Sequence, residues 1–198
     1  MLPGSYARSV YVSSGHDVEI RLTLEAMVDL VNELADAQAA HDHPAVDVRG
    51  LLHDHRFSRA AGASAAAIDR VEERMGSMVD TLRRLPESEP EPTVTWINSA
   101  LSGIHITPSL IEHDGAGLHI HWTPASATFD DQVIADIVMA LAQEVADHGI
   151  DRFGTCAATD CEHLFYDSTR NRSRRFCNDP RCASRTHTAD HRARQRLD

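Results

Sequence analysis

The sequence predicts an α+β protein: a mostly helical N-terminal domain with a small antiparallel sheet (1–150), followed by a small C-terminal module of short strand, loop and helix (151–198). Three observations predict it. Apolar residues recur at spacings of three and four across the long segments 22–40, 64–85 and 129–148. Strand-like alternation is confined to one short stretch before residue 123. All four cysteines fall after residue 155, in two close pairs. A hydrophobic content of 42% is enough for a packed core.

The elements follow in order. Residues 22–40 place Leu24, Met27, Val28, Val31, Leu34 and Ala35 on one helical stripe. Pro44 and Asp47 begin a second, shorter helix that ends near Phe57. Over 64–85, Ile68, Val71, Met75, Met78, Leu82 and Leu85 form a seam too short for a coiled coil, so it is expected to pack inside a bundle. The segment "LPESEPEP" (85–92) reads as a linker or exposed loop. A short helix entered at Thr93 or Thr95 comes next. Two strand-like runs then flank Asp114–Gly115, a hairpin signal in which Leu118, Ile120 and Trp122 alternate with His119 and His121. The helix 129–148 buries Ile134, Ile137, Val138, Leu141 and Val145 and stops at Gly149.

The cysteines are arranged as Cys156-x4-Cys161, fifteen residues, then Cys177-x4-Cys182. Two close pairs joined by a connector form a tetrahedral four-thiolate Zn(II) site, each pair supplying one edge. Thiolates are soft ligands, and zinc brings no redox chemistry of its own. An iron–sulfur cluster also takes four thiolates, but the polar surroundings disfavour it. "HLFYD" (163–167) reads as a short strand whose Leu164 and Tyr166, or Phe165, cover the site, with Phe153 and Phe176 supplying further apolar contact. So small a module buries little surface alone, and metal binding is expected to contribute much of its folding free energy.

Charge separates the two parts. The net charge is −11, yet residues 152–198 carry 10 Arg against 6 Asp and Glu, a net of +4, which leaves −15 on the first 151 residues. Every basic side chain is Arg, whose planar fork grips phosphate or guanine in two places. Asp179 and Pro180 read as N-cap and first position of a final helix. Arg181, Arg185, Arg192 and Arg196 form one stripe of that helix; His187, His191 and Arg194 form a second, and Ala183, Ala193 and Leu197 a thin third. A helix so nearly polar all round needs a partner, and duplex DNA suits arginine. The expected nucleic-acid contacts are Arg172, Arg174, Arg175, Arg185, Arg192 and Arg194.

At these residues the sequence resembles the CGNR zinc-finger family. Asp167, Ser168, Arg170, Asn171, Ser173, Arg174, Arg175 and Cys177 stand in register, and the resemblance covers about 152–194. Upstream, "VDLVNEL" (28–34) resembles the Leu-Asp-Phe-Val-Asn-Thr signature of the ABATE domain that precedes the finger in that family, with Glu33 where Thr is usual. "HDGAGLHIHW" fits that domain's later strand. The resemblance implies a zinc-binding, DNA-binding module behind an α/β domain that regulates transcription under stress, with a small-molecule or stress signal received there. The name-giving Cys-Gly-Asn-Arg stands here as Cys182-Ala183-Ser184-Arg185, which keeps the ligand and the arginine but not the Gly-Asn pair.

Other chemistries find less support. His119 and His121 share a strand face as two metal ligands can, but no third ligand stands at a fitting spacing, so they are expected to face solvent. There is no glycine-rich phosphate loop, nucleophile elbow or HExxH, and a closed four-thiolate site leaves no position for water, so no enzyme is expected. No stretch reaches the ~20 apolar residues of a membrane span, and "MLPGSYARSVYVSSG" lacks a signal-peptide layout. The expectation is a cytoplasmic transcription regulator that binds double-stranded DNA, with an N-terminal domain that senses a small molecule or forms a homodimer. The rival readings are a zinc-stabilised module gripping a protein or RNA, and a thiol-based redox sensor.

Overall fold

A computed structural model describes residues 15–40, 42–112 and 118–195. Five helices make the body: α1 (Gly15–Ala39), α2 (Val48–Asp54), α3 (Ala65–Arg83), α4 (Pro90–Ser102) and α5 (Phe129–His148). A two-stranded hairpin, β1 (Ser109–Glu112) and β2 (Leu118–His121), is antiparallel with Leu110 opposite Ile120. A second two-stranded sheet pairs β3 (Phe153–Thr155) with β4 (Leu164–Tyr166), and α6 (Pro180–Gln195) follows. Among the described residues no helix is long and apolar enough to cross a membrane.

Helix α1 is the axis of the fold and packs on both α3 and α5. Its expected stripe is its buried face: Leu24, Met27 and Val31 are fully enclosed, with Ala26 and Leu30 beside them. Burying a side chain of that size stabilises by roughly 1.5–3 kcal/mol, so these residues and their partners Val71, Met75, Val133, Val138 and Leu141 carry the body.

Capping sets the helix starts. Ser64 accepts from the Ala67 N–H, Thr128 from the Asp131 N–H and Asp47 from the Gly50 N–H. Gly149 ends α5 at φ +69°, a backbone shape that suits glycine.

Several bounds differ from the sequence reading. Helix α1 begins at Gly15, a turn and more before residue 22. Helix α2 stops at Asp54 rather than near Phe57. Residues 85–92 are not a loop throughout: Leu85–Glu87 form a 3₁₀ turn with Leu85 buried, and α4 starts at Pro90 instead of Thr93 or Thr95. The prolines that read as breakers sit in the first turns of these helices, where a missing N–H costs nothing. The Asp114–Gly115 turn lies outside the described residues, as do Arg196 and Leu197 and the side chains of His191 and Ala193. Strand β3 was not expected; three residues carry no readable period.

The β3–β4 sheet does not stand apart from the body. Phe153, Leu164 and Tyr166 belong to the helical core, and β4 lies along α1. These side chains therefore do not cover the cysteine site, as their neighbourhood in sequence suggested.

Candidate metal centre

The connections around β3 and β4 bring the cysteines together. Cys156 follows β3, and its N–H donates to the His163 carbonyl, which extends the β3–β4 ladder by one rung. The chain then turns, with the Cys161 N–H donating to the Ala158 carbonyl. In the second pair, Cys177 precedes the Asp179 cap and Cys182 is the third residue of α6, its N–H donating to the Asp179 carbonyl. The four-residue spacers thus hold a tight turn in one pair and a helix start in the other.

The geometry decides between bonding modes. The four Sγ atoms lie within 4.8 Å of one another, with Cys177–Cys182 at 3.8 Å and Cys161–Cys177 at 3.9 Å. A disulfide needs about 2.05 Å. A tetrahedron with Zn–S bonds of about 2.3 Å has edges of about 3.8 Å. The site therefore fits one zinc ion bound by Cys156, Cys161, Cys177 and Cys182. Ala158 and Phe176 wall it, and Cys156, Cys177 and Cys182 are buried.

Backbone dipoles prepare the sulfurs. Burial works to raise the Cys156 thiol, but the N–H groups of Cys177 and Ala158 point at its sulfur and bring it below the ordinary thiol value. Burial dominates at Cys161, pushed up to about 11 despite an N–H from His163, and it also raises Cys182. Cys161 and Cys182 therefore hold their protons until a cation arrives and release them on binding it. Arg185 sets a guanidinium N–H 3.5 Å from the Cys182 sulfur, a cation that helps to offset the charge of four thiolates.

The arginine connector is organised around Asp167, which is 3% exposed. Its carboxylate accepts from the Thr169 N–H (2.9 Å), the Thr169 hydroxyl (2.6 Å) and the Arg174 N–H (2.7 Å). Burial alone would raise its pKa; these bonds outweigh that and lower it. Arg152 locks the other side of the loop by donating to the Asp167 and Thr169 carbonyls at 2.9 and 3.2 Å.

The six expected nucleic-acid arginines separate into distinct roles. Arg174 is a brace: it donates to the Phe176 and Tyr166 carbonyls and to Asn178, and lies over the Phe165 ring. Arg172, at φ +47°, is 3.6 Å from Asp151, and Arg185 is 3.1 Å from Asp160. Arg175 is exposed beside the Phe176 ring, and Arg192 and Arg194 are exposed on α6. Gly154 lets the Phe165 ring lie against the backbone of β3, where any Cβ would meet it.

Sequence reasoning missed the residues that seat this module on the body. Asn32 of α1 pairs with β4 as a strand would: its amide donates to the Leu164 carbonyl and accepts from the Leu164 N–H, both at 2.9 Å. Along the same face of α1, Asp29 accepts from Asn178 (2.8 Å) and Asp36 meets His163 (3.0 Å). From α5, the buried Glu144 accepts from the Tyr166 hydroxyl at 2.9 Å and faces Arg152. The signal was present in "VDLVNEL": a polar Asn32, 7% exposed, sits beside fully buried Leu30 and Val31.

Residues 152–195 match the family model described as CGNR zinc finger. This agrees with the resemblance read from residues 152–194. No curated protein matches the chain.

Proposed function

We propose that the chain is a cytoplasmic, non-enzymatic transcription regulator. Its zinc finger would bind double-stranded DNA, and its helical body would receive a small-molecule or stress signal or form the dimer contact. One observation carries the reading. Arg170, Arg175, Arg192 and Arg194 are exposed and have no carboxylate partner among the described residues, on a chain whose other arginines are largely tied down. Among the described residues the module's acidic groups already have partners: Asp167 on the connector backbone, Glu162 with Arg83, Asp160 with Arg185 and Asp179 with Arg181. Those four exposed guanidiniums are available for phosphate contacts.

Arg172 and Arg185 can join them by exchanging exposed ion pairs, which are worth little in water, for phosphate. Arg174 is left out of this surface, because its guanidinium is consumed by the module itself.

The test is a salt titration of the zinc-loaded protein on duplex DNA. Four to six phosphate contacts imply that log K falls by about 4–5 per tenfold rise in salt. Replacing both Arg192 and Arg194 by Ala should weaken binding and lower that slope by about 2, with zinc content unchanged. No duplex affinity at low salt would end this reading. Tight binding of single-stranded RNA in its place would favour the RNA-interaction alternative.

A further inference from the structure

A half-open cavity of about 290 Å³ lies in the helical body, remote in sequence from the cysteines. It is walled by the α2–α3 connection (Ser58, Arg59), the hairpin (Ile111, His121), the loop Thr123–Ala125 and Gln132 in the first turn of α5. Its volume is at the small end of ligand cavities, roughly 300–1,000 Å³.

Its chemistry is unlike the surface around it. In a body of net charge −15, no carboxylate lines this cavity among the described residues. A second cavity of about 260 Å³ between α1, α5 and the zinc module makes the contrast, since its Arg21 and Arg152 share the wall with Asp17, Glu144 and Asp147. Arg59 meets no carboxylate among the described residues. One of its terminal nitrogens donates to the Ala127 carbonyl (3.2 Å) and to Gln132 Oε1 (3.1 Å). The rest of its fork makes no hydrogen bond among the described residues.

The polar wall is also built rather than incidental. Arginine can only donate, so Arg59 fixes the Gln132 oxygen as acceptor and its amide NH₂ as donor to His121 Nδ1, 3.2 Å away. Gln132 is 7% exposed, so this chain is held by packing. Thr123 is 4% exposed and lines the cavity, and its hydroxyl makes no hydrogen bond among the described residues. Its oxygen is open to the cavity rather than sealed from water, and a ligand oxygen can accept from it there in place of water. Ile111, Pro124 and Ala125 add an apolar surface to the lining.

We propose that this cavity binds a small organic carboxylate. The guanidinium of Arg59 and the Thr123 hydroxyl receive the carboxylate, and the apolar wall receives its hydrocarbon part. An inorganic anion would leave that wall unused, and a neutral analogue would leave the Arg59 fork unpaired. The binding claim stands on the cavity alone; that the occupant acts as the effector rests on the regulator reading.

The zinc-loaded full chain, labelled with ¹⁵N, is titrated with sodium benzoate, with benzyl alcohol as the neutral isostere and with sodium phosphate at matched ionic strength. Benzoate is expected to shift the amides of Arg59, Ile111, Thr123 and Gln132 saturably, with Kd on the order of 1 mM. Benzyl alcohol and phosphate are expected to bind at least about tenfold more weakly, since each lacks one half of the match. Arg59→Gln should weaken benzoate about tenfold or more. Because Arg59 also supports the Thr128 end of α5, Ala125→Phe, which fills the cavity from its exposed rim, serves as a second variant and should abolish the shifts with an unchanged Tm. Unsaturable shifts, benzyl alcohol or phosphate matching benzoate, or benzoate affinity unchanged in both variants would each overturn the proposal. Duplex affinity measured on the same samples keeps the claims apart: benzoate binding without DNA binding removes the regulator reading and leaves the site standing.

Discussion

Asn32→Ala is the perturbation that most directly tests how the body holds the zinc module. The Asn32 amide satisfies both the N–H and the carbonyl of Leu164, each at 2.9 Å, in a place where Asn32 is 7% exposed and Leu164 1%. Truncation leaves two buried backbone groups unpaired, at about 1–3 kcal/mol each. The expected loss is about 2–5 kcal/mol, the lower end applying where a water enters the gap. Asn32→Asp gives a sharper comparison. A carboxylate still accepts from the Leu164 N–H but repels the Leu164 carbonyl, so it should destabilise at pH 7 and partly recover on acidification, when a protonated acid can donate again. Urea unfolding measures the stability, and a colorimetric chelator measures the zinc release rate. Strand β4 begins at Leu164, three residues after Cys161, so loosening it should speed zinc loss several-fold. A cost below about 0.5 kcal/mol with an unchanged release rate would refute the idea that this amide pairing seats the module.

Three further outcomes follow from the same structure. Zinc affinity should fall steeply below neutral pH, because each thiol must lose its proton on binding and burial already raises Cys161 to about 11 and raises Cys182; Cys177→Ser should lose the ion by metal analysis. Asp136 is pushed up to about 7 by burial and by the charge of Glu19, so the folded state binds the proton more tightly than the unfolded chain, and stability should decline as pH rises from about 4 to 7. Asp136→Asn should flatten that decline and raise stability at pH 8 by about 1–4 kcal/mol in thermal or urea unfolding. Arg174→Ala should cost about 2–3 kcal/mol and hasten zinc release while leaving the salt slope of DNA binding unchanged, since its guanidinium braces the Tyr166 and Phe176 carbonyls; a reduced slope would place it on the DNA surface after all.

The readable features were those whose physics is local or periodic. The stripes of α1, α3 and α5 were legible because a buried helix face repeats every three or four residues, and Leu24, Val31, Val71 and Leu141 are enclosed accordingly. The metal site was legible because four cysteines in two pairs have few other uses in a small module. The prolines at 86, 90 and 92 misled: proline interrupts a helix interior but suits its first turn, and a local reading cannot tell which it occupies. The histidines of β2 misled as well. Expected to face solvent, His119 and His121 are partly buried with their Nε2 atoms 3.1 Å apart, and Gln132 from α5 reaches His121.

By itself, the sequence determined that a four-thiolate zinc finger follows a helical, acidic body, because ligand type, ligand spacing and apolar period act over a few residues at a time. Only the tertiary structure decided what each polar group does. Arg174 and Arg175 are neighbours of one chemistry, yet one is consumed by carbonyls from β4 and Phe176 while the other stands exposed. Asn32 and Leu164 lie 132 residues apart and meet as if in one sheet. Hydrogen bonds are short-ranged and directional, so which partners they find is settled by where the packed helices bring the chain back on itself.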